Sequence, residues 1–345
     1  MRSSTSDPIS HTPPPAAAFR DAAAFFSYFD QVSDNGYVEG LSYRIKNKAA
    51  ELGFDKCGIV PAGPLTPEAG RLRQWLEGGL HGEMKWMECE PDKRADPAEI
   101  FPTARSMVVL AMNYFTPHEH CDGTDTGKVS RYAWGDDYHD VLRGRMQDLL
   151  AWIQAEIPGA EGKACVDTAP VMEKPWAVRA GLGWIGKHSN LITKEFGSWV
   201  FLGEIILNIE LEYDREVVED HCGTCTACLD ACPTQAIVEP YVVDSRKCIS
   251  HATIELRGET LPTDVAEHLN GWLYGCDICQ DVCPWNRFER PTNEARFEPR
   301  SGETSLLLAS IDRMEHEEYA ERFRGSAMKR TKLAGLKRNA RHLEK

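Results

Sequence analysis

Apolar positions recur at helical spacing from Leu41 to Leu52, where Leu41, Ile45, Ala49 and Leu52 share one face and Gly53 supplies the stop. The period then changes. A short strand fits Lys56–Val60, helical spacing returns over Glu68–Glu77 and ends at Gly78-Gly79, and Ser106–Met112 is an unbroken apolar run with the length of a buried strand. His139–Ile157 reads as a helix stopped by Pro158, Lys163–Thr168 as a strand, Met172–Ala180 as a helix, and Trp199–Asn208 as a long apolar strand. This alternation over 41–212 predicts an α/β or α+β core layer. Residues 1–36 carry Pro13-Pro14-Pro15 and alanine clusters, a composition that predicts a loosely held extension. At the other end, Leu333, Leu336, Ala340 and Leu343 share helical spacing, while Arg330, Lys337, Arg338 and Arg341 fall on another face.

With 345 residues, 42% hydrophobic and 27% charged, the chain has room for more than one core. No stretch reaches the roughly 18 consecutive apolar residues of a membrane span. The net charge of −14 argues against a protein that coats nucleic acid generally, but the sum hides an asymmetry: residues 322–345 hold nine Lys or Arg against the single acid Glu344. That tail fits either a solvated amphipathic helix or a phosphate-contacting surface.

Cysteine placement changes the picture most. Eight of twelve cysteines lie between Cys222 and Cys283. Cys222-x2-Cys225-x2-Cys228-x3-Cys232-Pro233 has the bacterial ferredoxin spacing, in which three thiolates hold one cluster and the fourth reaches its neighbour. Cys248 stands apart, and Cys276-x2-Cys279-x3-Cys283-Pro284 follows after 27 intervening residues. Crossing the fourth ligands gives Cys222, Cys225, Cys228 and Cys283 for one 4Fe-4S cluster and Cys232, Cys248, Cys276 and Cys279 for the other. Structural zinc prefers two separated Cys-x2-4-Cys pairs per site, which this spacing does not follow. Disulfides require an oxidising compartment, and residues 1–40 lack the basic start, apolar core and cleavage site of an export signal, so a cytoplasmic location is expected. Cys57, Cys89, Cys121 and Cys165 read as ordinary thiols.

Four features upstream remain open on their residues alone. Gly181-Leu-Gly183-Trp-Ile-Gly186 matches a dinucleotide fingerprint, but a helix precedes it where a strand is required, so glycines that cap a helix and let backbone approach a large ligand are the better reading. Asp167 stands where the strand Lys163–Val166 meets Thr168-Ala169-Pro170. It suits a turn or helix cap, or a general acid, which would need burial to raise its pKa. Arg94 is a surface charge or a planar fork for an amide or phosphate. The run Ser130–His139 is rich in hydrogen-bonding aromatics, as either packing or the wall of a site for a flat ligand.

Taken together, these residues resemble the epoxyqueuosine reductases, cobalamin-dependent iron–sulfur enzymes of tRNA modification. The resemblance covers about 41–345. It rests on Arg94-Ala95-Asp96-Pro97, Ser130-Arg131-Tyr132-Ala133, Val166-Asp167-Thr168-Ala169-Pro170, Ala180-Gly181-Leu182-Gly183-Trp184-Ile185-Gly186-Lys187, Phe196-Gly197-Ser198-Trp199, Asp244–Ser250, Tyr274–Gln280 and both cysteine runs. It implies reduction of the epoxide of epoxyqueuosine in the tRNA anticodon loop, consuming two electrons and two protons, with Asp167 as the acid. It also implies cobalamin contacts from Arg94, Tyr132, Asp167, Asn190 and Ser250, with the Tyr274, Gly275 and Cys276 backbone beside the corrin. Contacts with tRNA fall on Lys329, Arg330, Lys332 and Arg338. At Asp137-Tyr-His139 the pattern that lends histidine to cobalt in some corrinoid proteins fails at Leu142, so no histidine ligand is expected.

The resulting expectation is an α+β fold. It comprises a flexible extension (1–40), an α/β cobalamin-binding catalytic domain (41–214), a ferredoxin-like domain with two 4Fe-4S clusters (215–290) and a basic helical region (291–345). The protein would work as a cytoplasmic monomer fed by an external low-potential electron donor. Two rivals keep some of the same parts: a corrinoid reductase of another substrate such as an organohalide, whose usual twin-arginine signal is missing, and a non-catalytic ferredoxin-like electron carrier, which would leave the upstream region without purpose.

Overall fold

The computed structural model describes residues 40–121, 123–215 and 218–344, so the predicted extension at 1–40 lies almost wholly outside the described residues. In its first half the chain runs α1 (Leu41–Glu51), β1 (Lys56–Pro61), α2 (Thr66–Glu77), α3 (Pro91–Ala95), β2 (Ser106–Asn113), β3 (Thr126–Val129) and α4 (Tyr138–Glu156). It continues through β4 (Gly162–Cys165), α5 (Glu173–Arg179), β5 (Trp184–Ile185), β6 (Leu191–Ile192) and β7 (Val200–Leu207). The second half holds α6 (Ala227–Ala231), β8 (Ile237–Glu239), β9 (Val242–Val243), α7 (Ile249–Ile254), α8 (Thr263–Ala266), β10 (Trp272–Tyr274) and α9 (Ile278–Asp281). Last come β11 (Ser305–Leu307), α10 (Leu308–Arg313), α11 (His316–Arg322) and α12 (Lys332–Leu343).

The central sheet has the order β1-β2-β7-β4, every pair antiparallel, which makes the fold α+β. Both faces are covered. Ile45 and Ala49 of α1 and Leu142, Met146, Leu149 and Ile153 of α4 pack on Val108, Leu110, Phe201 and Ile205. Trp176 and Ala177 of α5 share the other layer with Met107, Val109, Leu202 and Ile206. Double coverage explains why β2 and β7 read as unbroken apolar runs, as strands buried on both faces do. Each fully buried Leu, Ile or Met here contributes about 1.5–3 kcal/mol.

A second sheet, β10-β3-β11, joins segments distant in sequence: β10 lies parallel to β3 and β11 antiparallel to it. Its strands are three or four residues long, too short for periodicity to reveal. Just past β3 the chain is tied to the cysteine region, since the buried Asp277 carboxylate accepts from Ser130 Oγ at 2.5 Å and Arg131 N–H at 2.7 Å. Asn286 and Gln280 similarly accept from Ser198. The described residues from Leu41 onward accordingly cluster as one unit. Among the described residues no helix is long and apolar enough to cross a membrane.

Gly181, at φ +72, follows the end of α5 and leads into the hairpin β5-β6. The helix before it rules out the dinucleotide arrangement. Gly183 allows close approach to the Ile192 carbonyl of its own hairpin, where a Cβ would sit at 2.1 Å.

Candidate active site

Between the central sheet and the cysteine region lies a cavity of about 470 Å³. Tyr114, Tyr132 and Tyr138 form an aromatic wall, Asn190 and His188 come from the hairpin turn, and Ser250 comes from the start of α7. Cys232, Cys248, Cys276 and Cys279 line the same space. Of the residues proposed from sequence for a flat cofactor, the structure therefore gathers Tyr132, Asn190, Ser250 and Cys276. The aromatic run divides: Tyr132 and Tyr138 face the cavity, while Trp134 is buried and donates Nε1–H to the Val129 carbonyl at 2.7 Å.

Tyr274 is a core residue whose hydroxyl donates to the Ala327 carbonyl at 2.6 Å and accepts from Tyr132 Oη at 3.1 Å. Its hydroxyl bond ties it to Tyr132 of the cavity wall. Gly275 has φ +70, and a Cβ there would lie 2.4 Å from Ser130, so only glycine lets this backbone pass. The Arg94 guanidinium lies 5.1 Å from the Trp86 ring centroid, with Nε buried and unpartnered. Burial lowers its pKa, and Asp167 is among the negative groups that act against that shift.

Asp167 sits just past β4 at φ +42, with the Thr168 N–H turned back onto the Val166 carbonyl. It is the centre of a γ-type turn, a strained arrangement for a residue with a side chain. Its carboxylate accepts from His139 Nε2 at 2.8 Å. His139 Nδ1 meets Asp137 at 2.6 Å, and Asp137 also caps α4 by accepting the His139 N–H. Both ring nitrogens are thus engaged by carboxylates. Burial works to raise the Asp167 pKa, but hydrogen bonds from His139 and Tyr138 and the charges of His139 and Arg330 outweigh it and leave it lowered. The burial that a lone general acid would need is not met: its side chain is 53% exposed, and its partners outweigh what burial there is. Burial opposes the charge on His139, yet the two carboxylates push its pKa up to about 9.

The sign of the linkage follows. His139 is raised from an ordinary 6.5, so its contribution to stability is full below that value and lost as pH rises through about 9. Asp137 and Asp167 are lowered, so theirs is present above 3.8 and lost as pH falls further. His139→Gln is expected to destabilise the protein by about 1–2 kcal/mol near neutrality, discounted for the exposure of Asp167. Denaturant titrations across pH should show the gap from wild type closing above pH 9; a gap constant from pH 6 to 10 would remove the ion pair.

The cysteines have two groups of electrostatic neighbours, and among the described residues no three Cys, His, Asp or Glu side chains converge closely enough to hold a metal ion. Burial raises Cys228 to about 11, and the charges that add to this belong to Cys283, Cys222 and Cys225. Cys276 is raised by burial and then by Cys279 and Cys248, and Cys232 acts on both Cys248 and Cys279. Ionised together, neighbouring thiolates would repel one another, and a cationic iron core would offset that repulsion. The sets touch, because α6 packs on α9 and Cys228 acts on Cys279.

In the basic tail, Lys329 and Lys332 are exposed, and Arg330 forms a two-point ion pair with Glu255 at 2.9 Å while facing the Trp86 ring at 6.0 Å. Arg338 corrects the sequence reading. It is 4% exposed and donates to the carbonyls of Ala252, Leu256 and Gly258, satisfying the C-terminal end of α7, so it is not free for phosphate. His139, His188 and Glu173 were missed as site residues. His188 Nδ1 accepts the Asn190 N–H at 3.2 Å, and its buried Nε2 has no partner.

The family profile "Epoxyqueuosine reductase QueG, DUF1730" matches residues 94–168, and "4Fe-4S double cluster binding domain" matches 221–286. The epoxyqueuosine reductase of Cellulophaga algicola is 50% identical over 295 residues, 86% of this chain and 95% of that one. That of Synechocystis is 49% identical over 82% of this chain and 98% of its own. A crystal structure of epoxyqueuosine reductase with an epoxyqueuosine-modified tRNA-Tyr stem loop superposes with a TM-score of 0.82 at 32% identity, covering 88% of this chain and 80% of that one. The Bacillus subtilis enzyme, solved with its catalytic aspartate loop swung out of the active site, gives 0.81 at 31% identity over the same shares.

Proposed function

The chain belongs to the epoxyqueuosine reductase family, and from that premise we infer that it is an oxidoreductase reducing epoxyqueuosine to queuosine in tRNA. The observation that carries the reading is one cavity with an electron side and a proton side. Cys232, Cys248, Cys276 and Cys279 line it, and so does Tyr138, which precedes the His139 that holds Asp167. The reaction breaks both carbon–oxygen bonds of the epoxide, takes up two electrons and two protons, and leaves an alkene and water.

The family uses two 4Fe-4S clusters and cobalamin. We assign Cys222, Cys225, Cys228 and Cys283 to one cluster and Cys232, Cys248, Cys276 and Cys279 to the other. The cavity fits the corrin by its aromatic wall and by the unpartnered His188 Nε2, a donor for the amide edge of such a group. Tyr132, Asn190, Ser250 and the Gly275–Cys276 backbone are the further contacts we propose, with Arg94 nearer Asp167. Bound cobalamin supplies a cobalt centre that collects single electrons and delivers two. The chain supplies the protons. His139 is the reservoir at neutral pH, and Asp167 passes its proton across their 2.8 Å bond to the leaving oxygen. Anaerobic incubation of reconstituted protein with cobalamin, reductant and epoxyqueuosine-containing tRNA, followed by nucleoside mass analysis, tests the whole reading; intact epoxide would sink it.

We further propose a cytoplasmic monomer, served by an external low-potential donor, that meets tRNA phosphates with Lys329, Lys332 and Arg330. Arg330 links this surface to the site, because its charge acts on Asp167 and it shares Trp86 with Arg94. Replacing Lys329 and Lys332 by Ala should lower the slope of log affinity against log salt by about one to two. Arg338→Ala should instead destabilise the fold by roughly 1–3 kcal/mol through orphaned carbonyls. An unchanged slope in the double variant would return the tail to a structural role.

A further inference from the structure

The glycine motif at 181–187 carries its final lysine into the cysteine region. Past β5 the hairpin turn is closed by the Gly186 N–H on the Asn190 carbonyl and the Ser189 N–H on the Gly186 carbonyl, each at 2.8 Å. His188, Ser189 and Asn190 of this turn line the cavity. Lys187 reaches instead to the first cysteine loop, where its Nζ donates to the Gly223 carbonyl at 2.7 Å and to the Cys225 carbonyl at 2.9 Å. That loop is a tight turn, with Gly223 at φ +48 and the Cys225 N–H on the Cys222 carbonyl at 3.0 Å. Lys187 therefore grips the backbone that presents two of the assigned ligands.

Lys187 is only 9% exposed. A buried ammonium is costly unless its N–H groups are bonded and its charge is balanced. The two carbonyls take two of its three N–H groups and orient it, but they do not cancel its charge. Its charge acts on Asp220, yet that carboxylate is engaged by the Cys222 N–H at 2.7 Å and by the Tyr241 hydroxyl. Beside this loop Trp184 is 2% exposed, and its Nε1–H has no hydrogen-bond partner. The indole packs with Cys283 and Cys222, and it meets Trp285 and His221 edge-on at centroid distances of 4.8 and 5.0 Å. It faces the Cys222 sulfur closely enough to oppose the rise that burial causes in that thiol, without completing a hydrogen bond. A buried cation and a buried N–H donor, both set against these cysteines, suit a cluster that is net anionic, grows more so on reduction and accepts hydrogen bonds at its sulfurs.

We propose that Lys187 and Trp184 set the poise of the cluster assigned to Cys222, Cys225, Cys228 and Cys283, holding a positive charge and an indole N–H against its ligand loop and so favouring its reduced state. The inference rests on that assignment. Neither residue ligates iron, and both act by position. This cluster lies outside the cavity wall, and its bias eases entry of an electron from the donor proposed above.

The test is a redox titration of the full chain carrying both clusters, followed by electron paramagnetic resonance, for Lys187→Gln, Lys187→Arg and Trp184→Phe. The signal to follow is the one that Cys225→Ala and Cys283→Ala both abolish. Lys187→Gln keeps N–H donors for the loop but removes the charge. It should lower the ratio of reduced to oxidised cluster at a fixed poise about tenfold, equivalent to about 59 mV for one electron. Lys187→Arg keeps the charge and should hold the ratio within about twofold of wild type. Trp184→Phe keeps an apolar ring, loses the N–H and should lower the ratio about threefold. Iron content and the potential of the other cluster should match wild type in all three. An unchanged ratio in Lys187→Gln or in Trp184→Phe would overturn the proposal, as would equal falls in Lys187→Gln and Lys187→Arg. If Lys187→Gln assembles one cluster only, the ratio in Trp184→Phe decides alone. Should Cys225→Ala and Cys283→Ala abolish different signals, the cluster assignment itself fails and takes the inference with it. An unmoved potential in variants that hold both clusters fails the inference alone.

Discussion

Asp167→Asn is expected to lower turnover by about 10²–10⁴-fold, the usual share of a positioned general acid, while both clusters and cobalamin stay bound. Asparagine keeps an oxygen for the His139 Nε2 hydrogen, so the 2.8 Å contact and the Asp137–His139 bond survive. What it cannot do is release a proton toward a leaving oxygen and recover it from His139. The cavity that receives the cofactor is walled by other side chains, Tyr132, Asn190 and Ser250 among them, so occupancy should not change. Two protons are needed per turnover, so the loss should appear in single-turnover rates with prereduced enzyme as well as in the steady state. The measurement is conversion of epoxyqueuosine in tRNA, with cobalamin absorbance and iron content as controls. Retained single-turnover activity would remove Asp167 from the chemistry and leave His139 or a tyrosine of the wall to carry the proton.

What the sequence disclosed follows the reach of each physical rule. Coordination by iron fixes spacing over a few residues, so Cys222 to Cys232 and Cys276 to Cys283 were legible at once. Burial on both faces fixes composition, so β2 and β7 were found as apolar runs. Pairing at a distance has no such local signature. The resemblance pointed to Asp167, but its partner His139 lies 28 residues earlier on another element, and only the fold shows that the two are hydrogen-bonded. Arg338 was misread for a related reason. A helical wheel places it away from Leu336, yet cannot foresee that the carbonyl end of α7 lies against that side.

Cys283→Ala is expected to remove the cluster built on Cys222, Cys225 and Cys228 and to leave the other intact, taking iron from about eight to about four atoms per chain. In sequence Cys283 belongs with Cys276 and Cys279, and a linear reading would assign it to their cluster. In the fold it is buried beside Cys222, Trp184 and Ile192, and the thiolate charges acting on it are those of Cys222 and Cys225. The set of Cys232, Cys248, Cys276 and Cys279 lines the cavity, whereas Cys222, Cys225 and Cys283 do not, so the cluster lost is the one farther from the chemistry. Cys225 is exposed, so under the donor proposed above this cluster would be the one open to it. The variant should therefore lose turnover driven by a protein donor. Turnover should persist in part with a small chemical reductant that reaches the remaining cluster or the cofactor directly. Iron analysis, with electron paramagnetic resonance of the reduced protein, separates the outcomes: one cluster signal persisting with its interaction splitting gone supports the crossed assignment. Loss of the cluster on Cys232, Cys248, Cys276 and Cys279 alone would show that the chain folds its cysteines into sets in sequence order.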